Sequence, residues 1–301
     1  MKYGLIDMGS NSVRLTVYHL NEQEFKILFK EKRMAGLAGY VENGALSQDG
    51  IDCACQTLAE FRTTLDLLEI EGVSVFATAS LRNISNTDEA LEAIRSRTGI
   101  SVEILSGEQE ADYGFYGAIC DMDASEGIFV DIGGASTELG LFADGRLTRA
   151  GSVPVGSLKL YRDWVKKVMP KKDAQREIRG AIRDAFAQSE LATLPPRDHF
   201  ICSGGTARAA LKLCKKQYAL EDDVRSFTRE QLEGLVQMLT KADRDAAKLI
   251  LRYEPERIHT MIPGILVLSD LAERYQVQTI SVSRYGVREG YLRKRIQKNL
   301  Q

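Results

Sequence analysis

Apolar and polar positions alternate at the start of the chain and later fall into helical spacing. Residues 2–6 and 13–19 read as two strands joined by the tight turn Asp7-Met8-Gly9-Ser10-Asn11-Ser12. A third run, residues 25–29, follows the polar break Asn21-Glu22-Gln23 and would complete a meander. Ile51, Cys55, Leu58, Leu65 and Leu68 then recur as a helical stripe. Residues 73–77 read as a short buried strand, 87–97 as a helix and 102–105 as a strand. Ser106-Gly107-Glu108-Gln109 has the spacing of a capping box that opens another helix.

At Gly127 the opening pattern returns. Residues 128–130 form a strand, Asp131-Ile132-Gly133-Gly134-Ala135-Ser136 a turn, and residues 137–142 a second strand. Asp144-Gly145 then supplies a hairpin turn into residues 146–150. With a shift of 124 residues, Asp7 falls on Asp131, Gly9 on Gly133, Ser12 on Ser136 and Leu15 on Leu139. This register reads as an internal duplication, two lobes that each begin with a hairpin carrying Asp and Gly. The predicted lobes are residues 1–120 and 121–301, with the last helix able to pack back on the first. A mostly helical stretch covers 157–189, and Pro195-Pro196 precedes a strand at 199–202. Ser203-Gly204-Gly205-Thr206 turns directly into a helix at 207–215. Helices follow Thr228 and Pro263, then a strand at 279–282 and a final helix at 287–298.

Composition narrows the class without identifying it. The 301 residues carry 40 Lys+Arg against 42 Asp+Glu, a net charge of -2, which argues against a general nucleic-acid coat, so DNA is not an expected partner. No run approaches the roughly 18 apolar residues of a membrane span, so no membrane partner is expected. Cys53, Cys55, Cys120, Cys202 and Cys214 include no C-x-x-C pair and read as free thiols of a cytoplasmic protein. His19, His199 and His259 are widely scattered and suggest no histidine metal site, while Trp164 is expected in the core.

The turns carry the candidate chemistry. A tip with Gly and hydroxyl residues can aim several backbone N–H groups into one concavity that suits phosphate oxygens. Ser10, Asn11 and Ser12 add side-chain donors, and Arg14 adds a cation. One such turn is an ordinary hairpin; two in register, each with an Asp at the strand end, point to a site, because such an Asp can hold a hydrated divalent cation against phosphate. Gly204-Gly205-Thr206 sits at a strand-to-helix junction, where amides and the helix dipole favour an anion.

These segments resemble the signatures of the exopolyphosphatase / guanosine pentaphosphate phosphatase family, within the actin, Hsp70 and sugar-kinase fold group. The resemblance rests on the three turns, with Thr137, Glu138 and Arg208 beside them, and on Ala77-Thr78-Ala79-Ser80-Leu81-Arg82 with Asn86. Leu105-Ser106-Gly107-Glu108-Gln109-Glu110-Ala111, Ile262-Pro263-Gly264 and Gly286-Val287-Arg288-Glu289-Gly290 extend it, so it runs from residue 3 to about 292, in the family's short form. It implies an α/β fold of two duplicated actin-like (ribonuclease H-like) lobes with an interlobe cleft, a Mg²⁺ cofactor and a possible homodimer. The implied reaction is release of terminal orthophosphate from inorganic polyphosphate. The alternatives are 5′-phosphate hydrolysis of guanosine pentaphosphate (pppGpp), a kinase of the same fold, or a non-catalytic sensor of ppGpp or polyphosphate.

Hydrolysis of a phosphoanhydride needs an activated water and neutralisation of spreading negative charge. The resemblance assigns the water-activating glutamate to Glu110 and a second essential carboxylate to Glu138; Glu110 is expected to act as general base, with Asp131 and Glu138 holding Mg²⁺ and the attacking water. Substrate contacts are expected from Asp7, Gly9, Ser10, Asn11, Ser12, Arg82, Gly133, Gly134, Ala135, Ser136, Thr137, Gly204, Gly205 and Thr206, the turns as phosphate cradles and Arg82 as a fork for the phosphate chain. Two residues depart from the pattern: Ala135 stands for a common glycine, acceptable where φ stays negative, and Gln109 stands for the first of two glutamates. The basic pairs Lys166-Lys167 and Lys171-Lys172 read first as a solvated face.

Overall fold

The computed structural model describes residues 1–70 and 72–297, so the expected helix end at Lys298 and residues 299–301 lie outside the described residues. The chain divides into two compact units, Met1–Gln109 with the segment from Tyr291 onward, and Glu110–Gly290.

The first unit is built on a sheet of five strands in the order β3-β2-β1-β6-β7. Strands β1 (Lys2–Met8), β2 (Val13–Leu20) and β3 (Phe25–Arg33) form the predicted antiparallel meander. A short hairpin, β4 (Val41–Glu42) and β5 (Ala45–Leu46), leads into helix α1 (Gln48–Leu67). The Ser47 side chain accepts from the Gly50 N–H and caps α1, whose buried face is Ile51, Ala54, Cys55, Leu58, Phe61 and Leu65. Leu68 ends the stripe, since it lies beyond the helix and is exposed. β6 (Gly72–Ala77) pairs in parallel with β1, placing the short helix α2 (Ala79–Arg82) beside the first turn. Helix α3 (Thr87–Thr98) and β7 (Glu103–Ile104) precede α4 (Gly107–Ala118), inside which the division between the units falls. The predicted capping box is present: Gln109 N–H donates to Ser106 Oγ at 3.1 Å, and Ser106 N–H to Gln109 Oε1 at 2.9 Å.

The second unit repeats this plan on six strands, in the order β10-β9-β8-β11-β13-β12. Strands β8 (Glu126–Ile132), β9 (Thr137–Ala143) and β10 (Arg146–Val153) form its meander. Asp144 and Gly145 both adopt positive φ, as a tight two-residue hairpin of this kind requires. Helix α5 (Ser157–Trp164) and α6 (Lys172–Ala187) follow, and the stretch read as mostly helical is interrupted at residues 165–171, ahead of α6. β11 (His199–Ser203), parallel to β8, leads without a gap into α7 (Gly204–Tyr218). Then come β12 (Ser226–Thr228), α8 (Arg229–Thr240), α9 (Arg244–Tyr253), α10 (Met261–Arg274), β13 (Thr279–Val282) and α11 (Val287–Tyr291). Pro263 lies within the first turn of α10 rather than before it, a position that needs no N–H donor. α10 is buried along nearly its whole length and anchors the larger core.

Trp164 corrects the expectation of a core residue: it ends α5 with 41% of its surface exposed. Lys171 is tied down, donating to the Ala242 carbonyl, while Lys166, Lys167 and Lys172 are exposed. Among the described residues no helix is long and apolar enough to cross a membrane, and all five cysteines are free thiols.

Candidate active site

The duplication extends from sequence to hydrogen bonds. Gly9 N–H donates to the Ser12 carbonyl at 3.1 Å, and Gly133 N–H to the Ser136 carbonyl at 2.9 Å. Ser80 Oγ, from α2, donates to the Met8 carbonyl at 2.5 Å; Thr206 Oγ1, from α7, donates to the equivalent Ile132 carbonyl at 3.0 Å. In each unit a hydroxyl in the first turn of the following helix therefore fixes the end of the central strand.

The turn carbonyls are occupied in both copies. Those of Ser10 and Asn11 accept from Ala38 and Gly36, and those of Gly133 and Gly134 from Ser157, Leu158 and Lys159. Among the described residues no acceptor is found for the amides of Ser10, Asn11, Gly134 or Ala135. Unmatched amides on a turn with its carbonyls tied down form an anion cradle. Gly156 makes the second cradle possible, since a Cβ there would lie 2.4 Å from the Ala135 nitrogen. Ala135 itself is not among the positive-φ residues, so the departure from glycine introduces no backbone strain.

Beside that turn, Asp131 and Glu138 face each other across β8 and β9. Glu138 is 1% exposed, a buried carboxyl rather than a solvent-facing strand residue. Its Oε1 accepts from Ser136 Oγ at 2.7 Å and from Ser152 Oγ at 2.8 Å. Asp131 Oδ2 accepts from Ser203 Oγ at 2.5 Å, in the range of a charge-assisted bond. Burial and the Asp131 carboxylate together push the neighbouring Cys202 thiol well above its usual range, so this cysteine is inert packing.

Gly204 touches the same carboxylate. Its φ is +79°, and a Cβ would lie 2.0 Å from Asp131 Oδ1, so both the conformation and the space demand glycine. At Gly205 a Cβ would fall 1.8 Å from Arg257 Nη2. This guanidinium at the start of α7 was not singled out in the sequence. It comes from a 3-10 turn, Pro255–Arg257, about fifty residues along the chain, and no local motif marks it.

The other predicted residues divide by role. Ser10 and Ser12 are largely buried at the first turn, and Asp7 lies opposite Arg14 across β1 and β2. Thr137 Oγ1 donates to the Val155 carbonyl and Thr206 Oγ1 to Ile132, so both hydroxyl protons are committed to the backbone. Arg82 donates through Nη1 to the Leu105 carbonyl at 2.9 Å. Glu110 is half-buried in the first turn of α4, where the helix dipole favours an anion. α4 is fixed by the closing motif: Cβ atoms at Gly117 and Gly290 would lie 1.9 Å from the Gly286 oxygen and 1.8 Å from the Tyr113 oxygen. The Glu289 carboxylate, 2% exposed, accepts the Gly286 N–H at 3.0 Å and steadies this approach.

Among the described residues no three His, Cys, Asp or Glu side chains form a metal cage. The two facing carboxylates nevertheless suit Mg²⁺, a hard cation held by one or two carboxylates while water and substrate oxygens complete the shell.

The fold and its paired hairpins define a duplicated α/β protein of the actin-like class. The family model for the Ppx/GppA phosphatase family matches residues 16–299. The chain belongs to this family. Exopolyphosphatase 1 of Mycobacterium leprae is 23% identical over 98% of this chain and 90% of its own length. A guanosine-5′-triphosphate,3′-diphosphate pyrophosphatase of Vibrio vulnificus is 27% identical over 96% of this chain, which spans 58% of that relative. The crystal structure of the Aquifex aeolicus Ppx/GppA family member is similar with a TM-score of 0.80 and 26% identity, covering 99% of this chain and 98% of that one.

Proposed function

We propose that this chain is a phosphoanhydride hydrolase that releases terminal orthophosphate from inorganic polyphosphate. The observation that carries the reading is the facing pair Asp131 and Glu138 beside a turn whose amides lack an acceptor among the described residues. Two carboxylates side by side on adjacent strands repel unless a cation lies between them and a substrate. Asp131 and Glu138 would hold Mg²⁺, which when bound neutralises charge on the phosphate oxygens. The Gly133-to-Ser136 turn would bind the terminal phosphate through its amides. Glu110 would take the proton of the attacking water and hold it as the anhydride bond breaks.

A second reading, hydrolysis of pppGpp at its terminal 5′-phosphate, is favoured by the similarity to the Vibrio vulnificus enzyme and presents the same anhydride. The two departures from the family pattern do not themselves argue for the sensor reading, since Ala135 keeps an unstrained turn and Gln109 completes the cap of α4. We carry a cytoplasmic location, supported by the free thiols, and a homodimer into this proposal.

The test is orthophosphate release from polyphosphate and from pppGpp, in Mg²⁺ and in EDTA, for wild type and Glu110→Gln. The proposal expects Mg²⁺-dependent release that Glu110→Gln lowers about 10²–10⁴-fold. No release from either substrate would overturn it, as would a Glu110→Gln variant as active as wild type. Transfer to an acceptor instead of water would identify a kinase.

A further inference from the structure

We propose that the basic segment from Lys159 to Lys172 is a subsite for the phosphates behind the terminal one, and that it selects long polyphosphate chains over short ones; this rests on the function proposed above. Residues 157–172 hold six cations, Lys159, Arg162, Lys166, Lys167, Lys171 and Lys172, against one acid, Asp163. The segment is therefore +5 within a chain whose net charge is -2. All six cations are exposed. Lys159 pairs with Asp163 at 2.6 Å and Lys171 is tied to the Ala242 carbonyl, but among the described residues Lys166, Lys167 and Lys172 have no carboxylate partner. A surface cluster of one sign raises the local concentration of an oppositely charged chain.

The segment is attached to the candidate site at two places. α5 starts on the second turn: the Ser157 N–H donates to the Gly133 carbonyl, and those of Leu158 and Lys159 to the Gly134 carbonyl, each at 2.9 Å. Eight helical residues then carry the chain about 12 Å to Trp164. In the loop that follows, the Val168 carbonyl accepts from His259 Nδ1 at 3.4 Å, and His259 is two residues from Arg257, whose guanidinium lies against Gly205. The Tyr161 ring packs on His259 with centroids 4.9 Å apart, and its hydroxyl donates to the Lys167 carbonyl at 3.1 Å. Gln175 Nε2 donates to the Pro170 carbonyl at 2.8 Å. Lys166 and Lys167 thus stand on a tied loop rather than on a solvated helix face, and a fixed backbone lowers the ordering cost of binding.

The test uses long-chain inorganic polyphosphate and tripolyphosphate, whose two bridges reach less far than α5. The full chain is compared with Lys166→Ala/Lys167→Ala, with Lys166→Arg/Lys167→Arg, and with Lys26→Ala, an exposed lysine of the first unit. Orthophosphate release gives kcat and KM at low and at high salt. Equilibrium dialysis gives Kd for the long chain in the same variants carrying Glu110→Gln, which slows turnover. An exposed ammonium beside a phosphate in water is worth about fivefold in affinity, so loss of two should raise KM and Kd for the long chain about tenfold or more. The difference should shrink at high salt. KM for tripolyphosphate and kcat for either substrate should stay within about twofold, and the arginine pair should restore the long-chain values.

Wild-type KM and Kd for the long chain in the alanine variant would overturn the proposal. So would an equal rise for tripolyphosphate, which would put the effect at the terminal phosphate. An equal rise in Lys26→Ala would also overturn it, as an effect of net charge alone. If wild type releases no orthophosphate from either substrate while the contrast in Kd holds, the hydrolase reading fails and the subsite stands.

Discussion

The two units share one frame and fill it with opposite charges. In the first, the row across the strands beside the turn is Asp7, Arg14 and Lys32; in the second it is Asp131, Glu138 and Ser152. The turn bond, the strand-end hydroxyl and one occupied carbonyl, Ser10 in the first copy and Gly134 in the second, match between the copies, so duplication kept the frame of the turn. The side chains opposite the aspartates differ. An arginine facing an aspartate compensates charge within the chain and offers a cation to an anionic ligand. A glutamate facing an aspartate sets two carboxyl groups side by side, the pair on which the proposed Mg²⁺ site rests. In the proposed reaction the second copy would carry the chemistry, while the first carries charge of the sign that attracts an anion.

Mutations can break or sharpen this contrast. The largest effect is expected on the acid side: Glu138→Gln or Glu110→Gln should each lower kcat about 10²–10⁴-fold in orthophosphate-release kinetics. Next comes Gly204→Ala, which forces a side chain into a left-handed conformation costing about 1–3 kcal/mol and into the Asp131 carboxylate. A lower urea midpoint and a large loss of turnover should appear together. On the basic side, Arg14→Gln should raise KM about tenfold, equivalent to about 1.4 kcal/mol, and leave kcat within about twofold. A fall in kcat with constant KM would erase the division of labour between the copies.

Two smaller effects complete the series. Burial holds the His199 imidazole below its usual value, and its Nε2 lies 2.8 Å from Ser281 Oγ. The fold therefore keeps this group neutral, while the unfolded chain takes up the proton at higher pH. Its contribution is complete above about pH 6.5 and is lost as pH falls toward the folded value. Urea unfolding at pH 7.5 and 5.5 should show a smaller acid loss in His199→Gln than in wild type. Ala135→Gly should change least, with turnover unaltered, because the turn already accepts a side chain at negative φ.

Much of this was legible in the sequence because it is local. The alternation in residues 2–6 and 13–19, the Asp144-Gly145 hairpin and the Ser106–Gln109 box depend on neighbours and came through at nearly their observed bounds. The repeat was legible because Asp7, Gly9 and Ser12 recur at one fixed spacing as Asp131, Gly133 and Ser136, and a Cβ at either glycine would lie 3.1 Å from a turn carbonyl oxygen. Contacts over long chain separations were not legible. Ser203 reaches Asp131 over 72 residues, and Arg257 reaches Gly205 from a turn with no motif of its own. Strand β12, three residues long, was too short to show a period, and Asn43-Gly44 between β4 and β5 was a hairpin signal not taken up. Trp164 follows the general tendency of a large aromatic to be buried until the helix ends beneath it.

The central claim is that this chain delivers water to a terminal phosphorus. The most direct measurement is hydrolysis of polyphosphate in water enriched in oxygen-18, with mass analysis of the released orthophosphate from a single turnover. The account predicts one labelled oxygen in each orthophosphate released. Orthophosphate without label, or phosphoryl groups recovered only on an acceptor, would contradict it.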